Sequence, residues 1–147
     1  MTKYRNYTKD QLLQEIHDHT TNQKKSEGML SNYELKDILH VLGRDDIVVL
    51  PEIEYYRLAI HKKEPKQAIL FHENKNSKIG HWVSCWTDKH GIIHQDNSFG
   101  SKPIIDIHDR IIKYDKSIEQ GVDSTSCGWY ALLNLLYKGK IKAPKRM

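Results

Sequence analysis

His81-Trp82-Val83-Ser84-Cys85-Trp86-Thr87-Asp88-Lys89-His90-Gly91-Ile92-Ile93-His94-Gln95-Asp96 is the stretch on which the fold class turns. Aromatic and β-branched residues fill 81–86 and 92–95, and Asp88 and Gly91 stand in the polar break between them. That pattern predicts two strands joined by a hairpin turn. Two more short β-rich runs precede the hairpin, Ile47-Val48-Val49-Leu50 and Ala68-Ile69-Leu70-Phe71. Between them Ile53, Tyr55, Tyr56, Leu58 and Ile60 follow no single period, and a loop with one short element is expected there.

Helical patterns lie on either side of this β-rich centre. Thr8-Lys9-Asp10-Gln11 fits a capping box, with Leu12, Leu13 and Ile16 behind it, and predicts a helix to about His19. Thr20 to Gly28 is polar and reads as a linker. Ser31-Asn32-Tyr33-Glu34 is a second capping box, Leu35, Ile38, Leu39 and Leu42 make a buried stripe, and Gly43 is placed to end the helix. After the hairpin, Ser98-Phe99-Gly100 closes the outgoing strand. Pro103 suits the first turn of a helix with Ile104, Ile105, Ile111 and Ile112 on its apolar face. Ser117 to Gln120 is expected as one more short strand. The last helix begins near Cys127, with Trp129, Leu132, Leu133, Leu136 and Tyr137 at helical spacing.

The expected architecture is α+β: N-terminal helices, a small mixed sheet with a central hairpin, and Cys127 at the N-terminus of a C-terminal helix. Residues 1–28 form an N-terminal helical extension in this reading, 29–137 the main domain, and 138–147 a basic tail. A chain of 147 residues suits one domain. No apolar run approaches the ~20 residues that span a bilayer, and the first ten residues lack the apolar core of a secretory signal. A location inside a cell, or inside a particle assembled there, and no membrane partner are therefore expected. Two cysteines make no disulfide framework, and nine scattered histidines form no ligand cluster, so neither a metal nor another cofactor is expected. His17 and His19 are read as surface histidines. The net charge of +4 includes Lys138, Lys140, Lys142, Lys145 and Arg146 in the tail, a solvated end or a handle for an acidic partner such as DNA.

One cysteine stands where chemistry is favoured. Cys127 follows Asp123, Ser124, Thr125 and Ser126, all turn and N-cap formers, and opens an apolar helix. Unpaired amides and the positive end of the helix dipole there favour thiolate over thiol. Cys85 lies mid-strand and reads as an inert buried cysteine. A cysteine nucleophile needs a base, an orienter for that base and donors for the oxyanion. His81 opens a strand directly after Gly80, which fixes its backbone while leaving the ring free. Asp96 and Asn97 end the partner strand, and either side chain can orient the imidazole. Adjacent strand residues face opposite ways, so only one of them does. The Gln120 amide can donate to an oxyanion, and Gly128 leaves room for a substrate backbone beside the sulfur.

Gly80-His81-Trp82, then Asp96-Asn97-Ser98-Phe99-Gly100, then Gln120-x6-Cys127-Gly128 resembles the adenain-like cysteine proteases. These group with the ubiquitin-like-protein proteases and with proteases of African swine fever virus, poxviruses, virophages and Polinton-type elements. The order His-Trp, Asp/Glu/Asn, Gln, Cys-Gly is that family's order, whereas papain-like enzymes place Cys before His. The likeness is closest over residues 78–130. It implies His81 as general base, Cys127 as nucleophile, Gln120 in the oxyanion hole and Asn97 as third member, with Asp96 the alternative. It also implies Trp82 as the wall of a channel admitting glycine-like residues. The resemblance further implies an endopeptidase cutting after Gly-Gly or Gly/Ala-Gly sites in viral structural precursors, within virions or at assembly sites in host cytoplasm. DNA or a peptide activates some relatives. A peptidase for ubiquitin-like proteins, an acetyltransferase and a non-catalytic binding protein are the alternatives on the same fold.

Overall fold

Thr8 and Ser31 start the first two helices in the same way. In the computed structural model, which describes residues 1–21, 28–72, 81–96, 107, 109–115 and 126–137, Thr8 Oγ1 accepts from the Gln11 amide at 3.1 Å and Gln11 Oε1 from the Thr8 amide at 2.8 Å. Ser31 and Glu34 repeat the exchange at 3.0 Å each way. Each box satisfies two amides that a helix start leaves open, and such a cap typically contributes ~1 kcal/mol. The helices that follow are α1 (Lys9–Thr20) and α2 (Asn32–Val41). Gly43, at φ +72, turns the chain out of α2.

The sheet comprises β1 (Val48–Pro51), β2 (Gln67–His72), β3 (His81–Thr87), β4 (Ile93–Asp96) and β5 (Ile112–Asp115), in that spatial order. β3 runs antiparallel to both of its neighbours, β2 and β4, while β1 pairs in parallel with β2 and β5 with β4. The hairpin is where the sequence puts it. Gly91 sits at φ +77, and the Asp88 carboxylate accepts from the amides of His90 and Ile92 at 2.8 and 3.0 Å.

Alternation along the strands sends side chains to two cores. On one face Ile69 and Trp82 meet Leu12, Ile16, Leu35, Ile38 and α4 (Cys127–Tyr137). On the other, Ala68, Leu70 and Cys85 meet Tyr55 and Ala59 of α3 (Glu52–Ile60) together with Ile107. Cys127 heads a helix packed between α1 on one side and β2 and β3 on the other, so Trp129, Tyr130, Ala131, Leu132, Leu133 and Leu135 are all buried. The expected single stripe is nearly a whole circumference. No helix among the described residues is long and apolar enough to cross a membrane.

The α+β class, the central hairpin and the placing of Cys127 agree with the sequence reading, and four local expectations do not. Residues 52–60 form a helix rather than a loop with a short element: Glu52 and Glu54 suit its N-terminus, and only Tyr55 and Ala59, one turn apart, are fully buried. Ile111 and Ile112 are not on a helix. Asp109 stands at φ +66, which no helix tolerates, Ile111 is 64% exposed, and Ile112 begins β5 on the open edge of β4. Thr20 is the last residue of α1, not the first of the linker. His19 is buried, because it shares the inner face of α1 with Leu12 and Ile16; His17 is exposed as expected. The linker interior, the Pro103 turn, the 117–120 strand and the 138–147 tail lie outside the described residues.

Candidate active site

Cys127 is the first residue of α4, and its sulfur receives the backbone N–H of Trp82 at 3.2 Å. That amide belongs to the peptide joining His81 to Trp82. One peptide unit separates the His81 Cα from this nitrogen by about 2.4 Å, so Sγ lies within about 5.6 Å of the His81 Cα. The first residue of β3 and the first residue of α4 thus come together from 46 positions apart. A hydrogen-bond donor and a helix N-terminus both favour negative charge on this sulfur. The thiol is fully buried.

Trp82 holds the junction. Its indole Nε1 donates to the Leu30 carbonyl at 2.7 Å, and its ring meets Phe71 edge-on at 4.9 Å. Gly128 faces the same place. A Cβ there would stand 3.1 Å from Leu30 Cδ1, 3.2 Å from Leu30 Cβ and 3.3 Å from Trp82 Cδ1. The missing side chain therefore admits Leu30 and Trp82 to the helix surface, whereas the sequence reading gave that space to a substrate backbone.

His81 is half-buried, and alternation along β3 groups its ring with Cys85 on the α3 face. Trp82 and Cys127 share the α4-side core, so the described contact with the sulfur runs through the His81–Trp82 peptide. Two residues that the sequence reading passed over stand beside the ring. His81 pairs across the sheet with His72, whose ring lies 5.1 Å away at 75°. His72 Nδ1 in turn meets the carboxylate of Glu52, the first residue of α3. Burial first, and His72 second, pull the His81 imidazole down to about 4. Nothing in sequence spacing marks Glu52 or His72; the antiparallel register of β2 on β3 places His72, and the start of α3 against the end of β2 places Glu52. Asp96 pairs with Ser84, three residues along β3 from His81. The register thus does not set it directly opposite the imidazole. Asn97 and Gln120 lie outside the described residues. On the α3 face Cys85 is inaccessible, and burial is the chief reason its thiol is pushed up to about 12.

An imidazole that stays neutral near pH 7, a sulfur beside its backbone and the N-terminus of a helix are groups that acyl transfer to a thiol uses. Among the described residues no three His, Cys, Asp or Glu side chains are grouped to hold a metal. Comparison with known proteins adds nothing to the geometry: no protein-family model, no curated protein and no solved structure matches the chain.

Proposed function

We propose that the chain is a cysteine endopeptidase of the adenain-like type, cutting after Gly-Gly or Gly/Ala-Gly sites in viral structural precursors during particle maturation. The observation that carries the reading is the Trp82 N–H directed at Cys127 Sγ, which sets the His81 backbone beside a sulfur at a helix N-terminus. In the proposed cycle His81 takes the Cys127 proton and the thiolate attacks the peptide carbonyl. Helix-start amides and Gln120 hold the oxyanion, and His81 returns the proton to the leaving amine. Water then resolves the thioester, with His81 as base. Loss of one oxyanion donor typically costs ~10²–10³ in rate, so Gln120→Ala is crippled but active.

The test is cleavage of Gly-Gly peptides and of ubiquitin-like fusions by the wild-type and Cys127→Ala proteins, with and without DNA. Cleavage after Gly-Gly that vanishes in Cys127→Ala supports the proposal. Undiminished cleavage by Cys127→Ala overturns it. Complete burial of Cys127, with Leu30 and Trp82 packed on Gly128, favours a second reading: a binding protein that keeps the fold without turnover. No cleavage of any substrate, with a Cys127 thiol that resists alkylation in the folded protein, selects that reading.

A further inference from the structure

We propose that Glu52 and His72 form a positioning pair for His81, a second imidazole anchored by a carboxylate that sets the orientation and proton affinity of the first. The inference rests on the protease reading, in which His81 is the base. Three elements meet here. His72 ends β2 and His81 begins β3, and the antiparallel register places them directly opposite each other. Directly paired side chains share one face of the sheet, and these two rings stand nearly perpendicular. Glu52, at the start of α3, reaches over the end of β2 to His72 Nδ1.

The carboxylate accepts from Nδ1–H and so fixes the tautomer and the plane of the His72 ring. The ring fixed in this way limits the tilt of His81. When it carries a proton, its positive charge opposes a second proton 5.1 Å away. A base held neutral is ready to accept the thiol proton. The other titratable and charged groups on the packed elements are Glu54, Tyr55, Tyr56 and Arg57 on α3, Cys85 on β3, whose ionisation Glu52 and Asp96 both oppose, His94 and Asp96 on β4, and Cys127 and the tyrosines of α4. Among the described residues β1 contributes none. The Glu52–His72 contact is half-exposed, so solvent damps the interaction without abolishing it.

The experiment is an NMR titration of the His81 ring in the full chain, wild-type and variant, with cleavage of a Gly-Gly peptide followed in parallel. His72→Gln removes the second imidazole and is expected to raise the His81 midpoint by roughly half a unit to one unit. His72→Lys supplies a positive charge at the same position and is expected to return the midpoint towards the wild-type value. Glu52→Gln frees the His72 ring and is expected to broaden or shift the His81 resonance in a protein with unchanged melting. An unmoved midpoint in His72→Gln overturns the inference, as does an equal rise in His72→Gln and His72→Lys. If His72→Gln does not fold, Glu52→Gln and His72→Lys decide. The titration needs no turnover, so it fails or succeeds separately from the Cys127→Ala cleavage test.

Discussion

The amide N–H of Trp82 lies 3.2 Å from the sulfur of Cys127, and no atom of either side chain other than that sulfur takes part. The contact joins the first strand of the hairpin to the last helix through the backbone. A side-chain substitution at 82 therefore leaves the donor in place, while any slip of α4 along β3 removes it. Placement of the thiol is a property of packing.

The two cysteines should differ in reactivity. Cys127 has a helix start and an amide donor, whereas Cys85 lies within the sheet with its thiol pushed up to about 12 by burial and, more weakly, by Glu52 and Asp96. Both thiols are fully buried, so iodoacetamide reaches either only when packing opens. Cys127, at a helix start, is expected to be modified on local opening and Cys85, within the sheet, only on global unfolding. His81→Ala is expected to slow Cys127 labelling roughly tenfold or more, since thiolate, not thiol, reacts. Peptide mass mapping reads both; equal labelling of the two cysteines counts against selective activation.

His81 should leave a signature on stability. Its imidazole takes up a proton near 6.5 when unfolded and near about 4 when folded. Between those values the unfolded chain binds more protons, so the His81 contribution is complete above about 6.5 and is lost as pH falls towards about 4. Urea unfolding of the wild-type and His81→Phe proteins across this window checks it. A shallower fall in the variant is expected. Identical slopes would show that His81 is not held neutral by the fold.

Gly128→Ala tests the α4–β3 junction. In the first turn of α4 the alanine gains only part of the ~1 kcal/mol of helix propensity that an interior position would give. It also drives a methyl against Leu30 and Trp82, and such overpacking costs about 1–3 kcal/mol. The indole is tied to Leu30 O and cannot withdraw. A net loss of about 1 kcal/mol is expected. In a Leu30→Ala background, which removes the Cδ1 contact but keeps those of the residue-30 Cβ and Trp82, the same substitution should cost less. Equal costs in both backgrounds would show that the crowding is relieved elsewhere.

His19 links the N-terminal helix to the helix of the thiol. Its ring stacks on Trp129 at 4.3 Å and 5°, and Nε2 lies 3.2 Å from Glu15 Oε2. Nearby, Tyr130 donates to the Thr20 carbonyl at 3.2 Å. His19→Ala should cost about 1–3 kcal/mol through lost stacking and a poorly satisfied carboxylate, and His19→Phe should recover the stacking part. Denaturant melts measure both. A neutral His19→Ala would show that α1 adds little to the seating of α4.

The signals legible in the sequence were local ones. Thr8, Ser31, Gly43, Asp88 and Gly91 act within four residues of themselves through caps and turns, so their meaning survives without knowledge of the rest of the chain. Cys127 at a helix start belongs to the same class. Residues 52–60 and 109–112 carry no such local signal: their apolar residues suit two periods, and which sheet face or edge remains to be covered decides between them.

The sequence by itself determined the α+β class, the central hairpin and the thiol at the head of the last helix, because side-chain period and cap chemistry are short-range. Only the tertiary structure decided that the His81–Trp82 peptide meets Cys127, that Leu30 and Trp82 fill the space at Gly128, and that Glu52 and His72 stand behind His81. Those relationships depend on strand register and on helix–sheet packing, which bring together residues from 9 positions apart, as His72 and His81, to 98, as Leu30 and Gly128. No local pattern encodes such distances; the competition of every apolar face for burial sets them.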